Sequence, residues 1–213
     1  MKGFKDVIIL VLIAVFAGVA LSGVYLGTKE RIALAKQKEL QEALGRVCPF
    51  LEDAYDEVAF EYEGTPVPLY VVRKDGQVLG AGIQMVTGEG FSGNITFLMG
   101  VDSNHRMTGL YILEHKETPG LGTKAAEQAW WGQMLNKGLD NFIFKVTKDK
   151  GDVDAITAAT ITSRAVVHAV GKGLQVFQEF MSQQPPVTQE SVVEEDPGTS
   201  GQALSEQEVD HVE

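Results

Sequence analysis

Residues 7–26 form a run of 20 residues without a charge, interrupted only by small or interfacial ones such as Gly18, Ser22, Gly23 and Tyr25. At about 1.5 Å per residue, a helix over this run spans about 30 Å, the hydrocarbon thickness of a bilayer. Such a run constrains the rest of the chain to fold as something tied to a membrane. A cleavable leader is the competing reading, because Lys2 and Lys5 precede the run and Ala20-Leu21-Ser22 offers a small-residue cleavage site. The run continues past Ser22 and exceeds the roughly 7 to 15 residues of a leader's apolar region, which favours a retained single-pass anchor. Residues 1–6 are then a short N-terminus and residues 7–27 the transmembrane helix. Lys29, Arg31, Lys36 and Lys38 outnumber Lys2 and Lys5, so charge counting alone would keep the rest of the chain in the cytoplasm. Large domains translocate largely regardless of such charges, so the count leaves the side open.

With 44% hydrophobic and 22% charged residues, the 213-residue chain can build one domain of roughly 130 to 150 residues, with something more at each end. Residues 28–47 are rich in good helix formers, with Leu40, Leu44 and Val47 on one face. Residues 28–56 therefore read as a linker helix leading away from the bilayer, and residues 57–183 as the folded domain. Residues 184–213 hold eight acidic residues and no Lys or Arg, so only −3 of the formal net charge of −11 belongs to the rest. With Pro185-Pro186, Pro197-Gly198 and few apolar residues, this acidic tail is expected to be disordered. No basic patch with interleaved aromatics is present, which argues against nucleic acid as a partner. Cys48 is the only cysteine, which excludes an intramolecular disulfide and a cysteine-held iron–sulfur cluster. Beside Pro49, it reads as a half-buried residue at a helix end. His105, His115, His168 and His211 have no metal-ligand spacing, so no metal centre is expected.

Two strand–turn–strand units follow, residues 70–80 around Asp75-Gly76 and residues 97–109 around residues 102–106, and their likeness suggests an internal duplication. Between them, Gly88-Glu89-Gly90-Phe91-Ser92-Gly93 reads as a glycine-rich loop without the Lys-Ser/Thr ending of a P-loop. Residues 123–136 are expected to form a helix with Ala126, Trp130 and Met134 on one face, and residues 142–146 another strand. Trp130 and Trp131 read as core and surface aromatics. From Ser163 to Met181, Val166, Val170, Leu174, Phe177 and Met181 recur at helical spacing. The class is α+β: an N-terminal transmembrane helix, then an antiparallel sheet with packed helices.

Chemistry concentrates where that last helix starts. Asp154-Ala155-Ile156-Thr157-Ala158-Ala159-Thr160, followed by Ile161-Thr162-Ser163, crowds five oxygen-bearing side chains around two alanines, whereas an ordinary helix start needs one capping oxygen. Thr160 falls in the first turn, where free N–H groups and the helix dipole favour a phosphate. On spacing alone, a threonine-rich helix start that binds nothing remains open. Upstream, His115-Lys116-Glu117-Thr118-Pro119-Gly120-Leu121-Gly122 contains a Thr-Pro-Gly turn: Pro119 sets one backbone angle and Gly120 permits positive φ. Gly120 and Gly122 would let backbone approach a planar ring while Leu121 supplies an apolar contact.

The Asp-x-x-Thr-x-Ala-Thr pattern at Asp154, Thr157, Ala159 and Thr160 resembles the flavinylation motif of the FMN-binding domain family. Over residues 1–180 the chain is similar to the G subunits of Rnf (Rsx) ion-translocating electron transport complexes and, next, to the C subunits of sodium-pumping NADH:quinone reductases. The resemblance implies an FMN-binding domain with covalent FMN on Thr160 through a phosphoester. It implies a pocket lined by Glu117, Thr118, Pro119, Gly120, Leu121, Gly122, Thr157, Ala158, Ala159, Ile161 and Thr162, with the loop of residues 88–93 near the flavin edge. Asp154 and Thr157 would be recognised by a flavin transferase that moves FMN from FAD. The partners implied are the other Rnf-type subunits, and the place is a bacterial inner membrane with residues 1–6 cytoplasmic and the flavin domain on the extracytoplasmic, periplasmic side. The role implied is an electron carrier rather than a stand-alone enzyme. Ala158 stands where the family commonly has Gly, adding a methyl group near the expected phosphate. Two alternatives stay open: a C subunit of a sodium-pumping NADH:quinone reductase, and a membrane-anchored interaction domain without flavin.

Overall fold

A computed structural model describes residues 2–52 and 54–184. The expected acidic tail lies, apart from Gln184, outside the described residues. The expected anchor and residues 28–47 of the expected linker are one uninterrupted helix, α1 (Lys2–Val47). The linker helix expected to reach residue 56 stops short of it: its described residues after Val47 are not helical, and Asp56 already opens the first strand. It is the one helix among the described residues long and apolar enough to cross a membrane, judged by length and composition. Along the apolar run Leu10, Phe16, Leu21 and Leu26 are exposed. A segment apolar on every side and packed against no protein suits a hydrocarbon surround.

Five strands follow: β1 (Asp56–Tyr62), β2 (Thr65–Lys74), β3 (Gln77–Gly90), β4 (Gly93–Asp102) and β5 (Met107–Glu114). Each pairs antiparallel with the next, giving a meander in chain order. The two expected strand–turn–strand units are the β2–β3 and β4–β5 hairpins. Asp75 (φ 51°) and Gly76 (φ 78°) make the turn of the first with the positive angles that suit a two-residue hairpin loop. The glycine-rich stretch expected as a loop is instead largely strand: β3 runs through Gly90, a tight turn holds Phe91 and Ser92, and β4 resumes at Gly93.

Alternation sorts the strands between two cores. Leu69, Val71, Ile83, Ile95, Phe97 and Met99 point to one face, covered by α3 (Thr160–Ser182) through Val166, Val170, Leu174 and Phe177. The expected helical stripe is therefore present, although Met181 is only partly buried and packs at its edge. The opposite face carries Tyr70 and Leu98 and receives the end of α1 through Ala43, Leu44, Val47 and Cys48. Gly82 and Gly100 leave that face bare: a Cβ at Gly82 would collide with Leu44, and one at Gly100 with the Val47 carbonyl. The segment expected to lead away from the bilayer is thus part of the domain's second core. Cys48 is fully rather than half buried, and burial pushes its thiol up to about 12, an inert group at ordinary pH.

Two expected elements are absent. Residues 123–136 do not form a continuous helix. They break into a 3₁₀ turn (Gly122–Ala126), one helical turn, α2 (Gln128–Trp131), and a second 3₁₀ turn (Gly132–Met134). Glu127 and Leu135 are extended, and Ala125 rather than Ala126 is buried with Trp130 and Met134. The reason is tertiary: the Trp130 indole donates to the Asp154 carbonyl at 2.8 Å, and Gln133 Oε1 accepts from the Asp154 N–H at 2.8 Å. Residues 142–146 do not join the sheet, and Val146 makes only a parallel bridge with Val153. The backbone groups of Ile143 and Lys145 are taken by the following turn, with Asp152 N–H to Ile143 O at 3.1 Å and Val153 N–H to Lys145 O at 3.1 Å.

Candidate functional site

The five oxygens that crowd the start of α3 have separate roles. Ser163 is a staple: its Oγ accepts the Ile156 N–H at 2.9 Å and donates to the Ala159 carbonyl at 2.9 Å, closing residues 156–163 into a loop. Thr162 is buried and donates to Glu117 Oε2 at 2.7 Å. Asp154 is held by its backbone, and its side chain is exposed. Thr157 is exposed. Thr160 remains, half-buried in the first helical turn, with Lys148 Nζ 3.3 Å from its Oγ1.

No side chain caps α3; its N-cap residue is Ala159. The N–H groups of a helix's first turn have no partners within the helix, so here they stay available to an external acceptor. Ala158 brings the chain into this position with φ +63°. That left-handed conformation costs an L-residue about 1–2 kcal/mol, and it is a physical reason for glycine at this point of the motif. Ala158→Gly should relieve the strain while adding some freedom to the unfolded chain, for a net gain of about 0.5–1 kcal/mol in urea unfolding of the full chain in detergent.

In front of Thr160 lies a cleft of about 320 Å³ lined by Phe91, Glu117, Thr118, Leu121, Gly122 and residues 158–162. The Thr118-Pro119-Gly120-Leu121 turn shapes one wall. Leu121 N–H bonds back to Thr118 O at 3.2 Å, and Gly120 has φ +76°. Pro119 and Gly120 form the corner and do not line the cleft, nor do Thr157 and Asp154; they differ from the other expected site residues in this. Gly122 lies so close to the Glu117–Thr162 pair that a Cβ there would strike Glu117 Oε2. The rim is apolar and open, with Phe91 67%, Ile161 48% and Leu121 40% exposed. Phe91 is a lining residue that the sequence places only within a loop near the flavin edge; it enters because strand pairing carries the β3–β4 tip to this cleft. The 3₁₀ turn Thr147–Asp149 supplies Lys148, and Arg164 clamps that turn to α3 through Asp149 at 2.6 and 2.7 Å. The hydrogen-bonded Arg164 guanidinium holds the Asp149 carboxyl below the usual carboxylate range, with Lys145 and Lys148 adding to the effect.

The model of the FMN-binding domain matches residues 90–175, from the tip of the β3–β4 hairpin through most of α3, and the model of the RnfG N-terminal region matches residues 3–47. Over 190 residues the chain is 34% identical to the G subunit of the ion-translocating oxidoreductase complex of Aliivibrio fischeri, covering 82% of this chain and 90% of that protein. The chain belongs to the family of G subunits of ion-translocating oxidoreductase complexes. The G subunit of Vibrio vulnificus is 36% identical, over 67% of this chain and 74% of its own length. Among solved structures, Shewanella oneidensis NqrC matches with a TM-score of 0.46 and 21% identity, over 63% of this chain and 71% of that one. In this member of the family, the FMN-binding domain match includes Thr160 and the entire cleft in front of it.

Proposed function

We propose that this chain is the membrane-anchored flavoprotein subunit of an Rnf-type ion-translocating electron transport complex, holding FMN by a phosphoester on Thr160 Oγ1. The observation that carries the reading is the position of that hydroxyl, at the uncapped start of α3 and on the wall of an open, apolar-rimmed cleft. The residues fit such a group. First-turn N–H groups and Lys148 are the donor set a phosphate diester requires, and Phe91, Leu121 and Ile161 offer faces for a planar ring. The flavin supplies electron uptake and release when bound. The chain's own residues position it, exclude water from one side, and prevent its loss to the surroundings.

Attachment balances as a transfer from FAD. The Thr160 oxygen bonds to the phosphorus of the FMN half, the pyrophosphate bond breaks, AMP leaves and the hydroxyl proton is released. A flavin transferase is the proposed catalyst. Asp154 suits recognition by it, because its backbone is held between Trp130 and Gln133 while its carboxylate faces outward. Thr157, also exposed, is proposed to share that role. Asp154→Ala should lower the flavin-bearing fraction several-fold when transferase is limiting, read by intact mass; undiminished loading would remove the assignment.

Residues 7–27 are proposed to span the bacterial inner membrane, with residues 1–6 cytoplasmic, residues 57–183 the extracytoplasmic flavin domain and residues 184–213 an acidic tail. The continuous helix supports a defined separation: the docked Ala43 stands 17 positions after Leu26, about 25 Å at helical rise. The other subunits of the complex are the proposed electron donors and acceptors. Intact mass of the full chain, expressed with and without a transferase in the same compartment, tests the reading. A mass increase of FMN less one water, dependent on the transferase and mapped to the Thr160 peptide, is expected. A bare Thr160 with transferase present would instead favour an interaction domain without flavin.

A further inference from the structure

Glu117 is a buried carboxylate, 6% exposed, on the wall of the cleft. Its two oxygens are held from two sides: the Ser92 N–H donates to Oε1 at 3.0 Å from the β3–β4 tip, and the Thr162 hydroxyl donates to Oε2 at 2.7 Å from α3. Its own N–H is fixed on His115 Nδ1 at 3.1 Å. None of the ion pairs among the described residues includes it. Arg164 is paired with Asp149, His168 Nδ1 lies 3.2 Å from Glu89, and Lys148 Nζ lies 3.3 Å from Thr160 Oγ1. The chain therefore accepts the cost of a buried charge without a cation, offset by two hydrogen bonds, at a wall where a hydrophobic residue would pack more cheaply.

We propose that Glu117 sets the reduction potential of the group in the cleft, its fixed negative charge disfavouring the reduced form. This rests on the reading of Thr160 given above. Glu117 is itself buried on the cleft wall, so its carboxylate beside a ring in the cleft is poorly screened. Two electrons from an external reductant with one proton from water leave one added negative charge on the flavin, and Glu117 raises the energy of that charge. Thr162 and Ser92 moderate the effect by drawing charge into their hydrogen bonds. Gly122 belongs to the same arrangement, since a side chain there would displace the carboxylate. Glu117 is thus a tuning residue that acts on the flavin through its charge.

The test uses the full-length chain, matured with its transferase and purified in detergent, and titrated with dithionite and redox mediators at one fixed pH. Intact mass is read first on every sample. Glu117→Gln should move the midpoint potential positive, and Thr162→Val, which keeps the charge but removes its hydroxyl donor, should move it negative. Opposite shifts are a signature that loosened packing does not produce. Unmoved potentials, or shifts of the same sign, on fully loaded protein overturn the proposal while leaving the attachment to Thr160 standing. If Glu117→Gln fails to accumulate, the sign of the Thr162→Val shift decides alone. A wild-type chain without covalent flavin sinks the Thr160 reading and this proposal together.

Discussion

Thr160→Ala will give a folded chain that carries no covalent flavin, a complete loss rather than a graded one. The side chain is half-buried, and its hydroxyl receives only the Lys148 ammonium at 3.3 Å among the hydrogen bonds of the described residues. Removing it deletes no core volume and leaves no buried polar atom without a partner. The expected stability change is that of an ordinary surface substitution, within about 0.5 kcal/mol. The neighbouring oxygens do not offer a substitute attachment point: Thr162 is bound to Glu117, and Ser163 is sealed between Ile156 and Ala159. Fluorescence of the denatured band under ultraviolet light, intact mass and circular dichroism together check it. Flavin at undiminished yield in a chain of native ellipticity would place the attachment elsewhere.

The largest loss of stability away from the site is expected for Leu44→Ala. Leu44 is fully buried at the end of α1, seated over the bare floor left by Gly82 and flanked by Val47, Cys48, Tyr70 and Leu98. Truncating a buried leucine removes its transfer free energy and leaves a cavity, together about 2–5 kcal/mol. This second core is small, so little of that cavity can be filled by relaxation. The β-sheet should survive on its α3 face, because the Phe97, Met99 and Phe177 cluster does not involve α1. Urea unfolding should show the lowered midpoint, and limited proteolysis should cut near Cys48 as the helix end lifts from the sheet. A midpoint unchanged from wild type would mean that α1 is only tethered to the domain and not packed into it.

Much of the architecture was legible because it is written locally. The β2–β3 hairpin follows from Asp75-Gly76, which take positive φ where the turn requires it. The α3 helix follows from its apolar period, and its start from the threonine-rich motif. The failures share a cause. Residues 123–136 have helical composition, yet Trp130 and Gln133 are drawn to the Asp154 backbone and the helix breaks on either side of them. Residues 142–146 look like a strand, but residues 152 and 153 satisfy their backbone before any sheet edge can. At the site, most of the cleft-lining residues sit in the two motifs, whereas Pro119, Gly120, Thr157 and Asp154 shape or flank the cleft without lining it. Phe91 carries no local signal of its own within the glycine-rich stretch.

By itself the sequence determined the apolar segment, the antiparallel hairpins, the final helix and the hydroxyl at its head, because each depends on backbone preferences and periodicities that span a few residues. Only the tertiary structure decided which of five oxygens faces the cleft with Lys148 as its one hydrogen-bond partner among the described residues, that Phe91 and Glu117 both line that cleft, and that α1 ends inside the domain. Those outcomes depend on pairing between residues far apart in the chain, such as Thr162 with Glu117 and Leu44 with the floor at Gly82. No local pattern encodes such partners, since each is chosen by which surfaces remain to be buried once the sheet has formed.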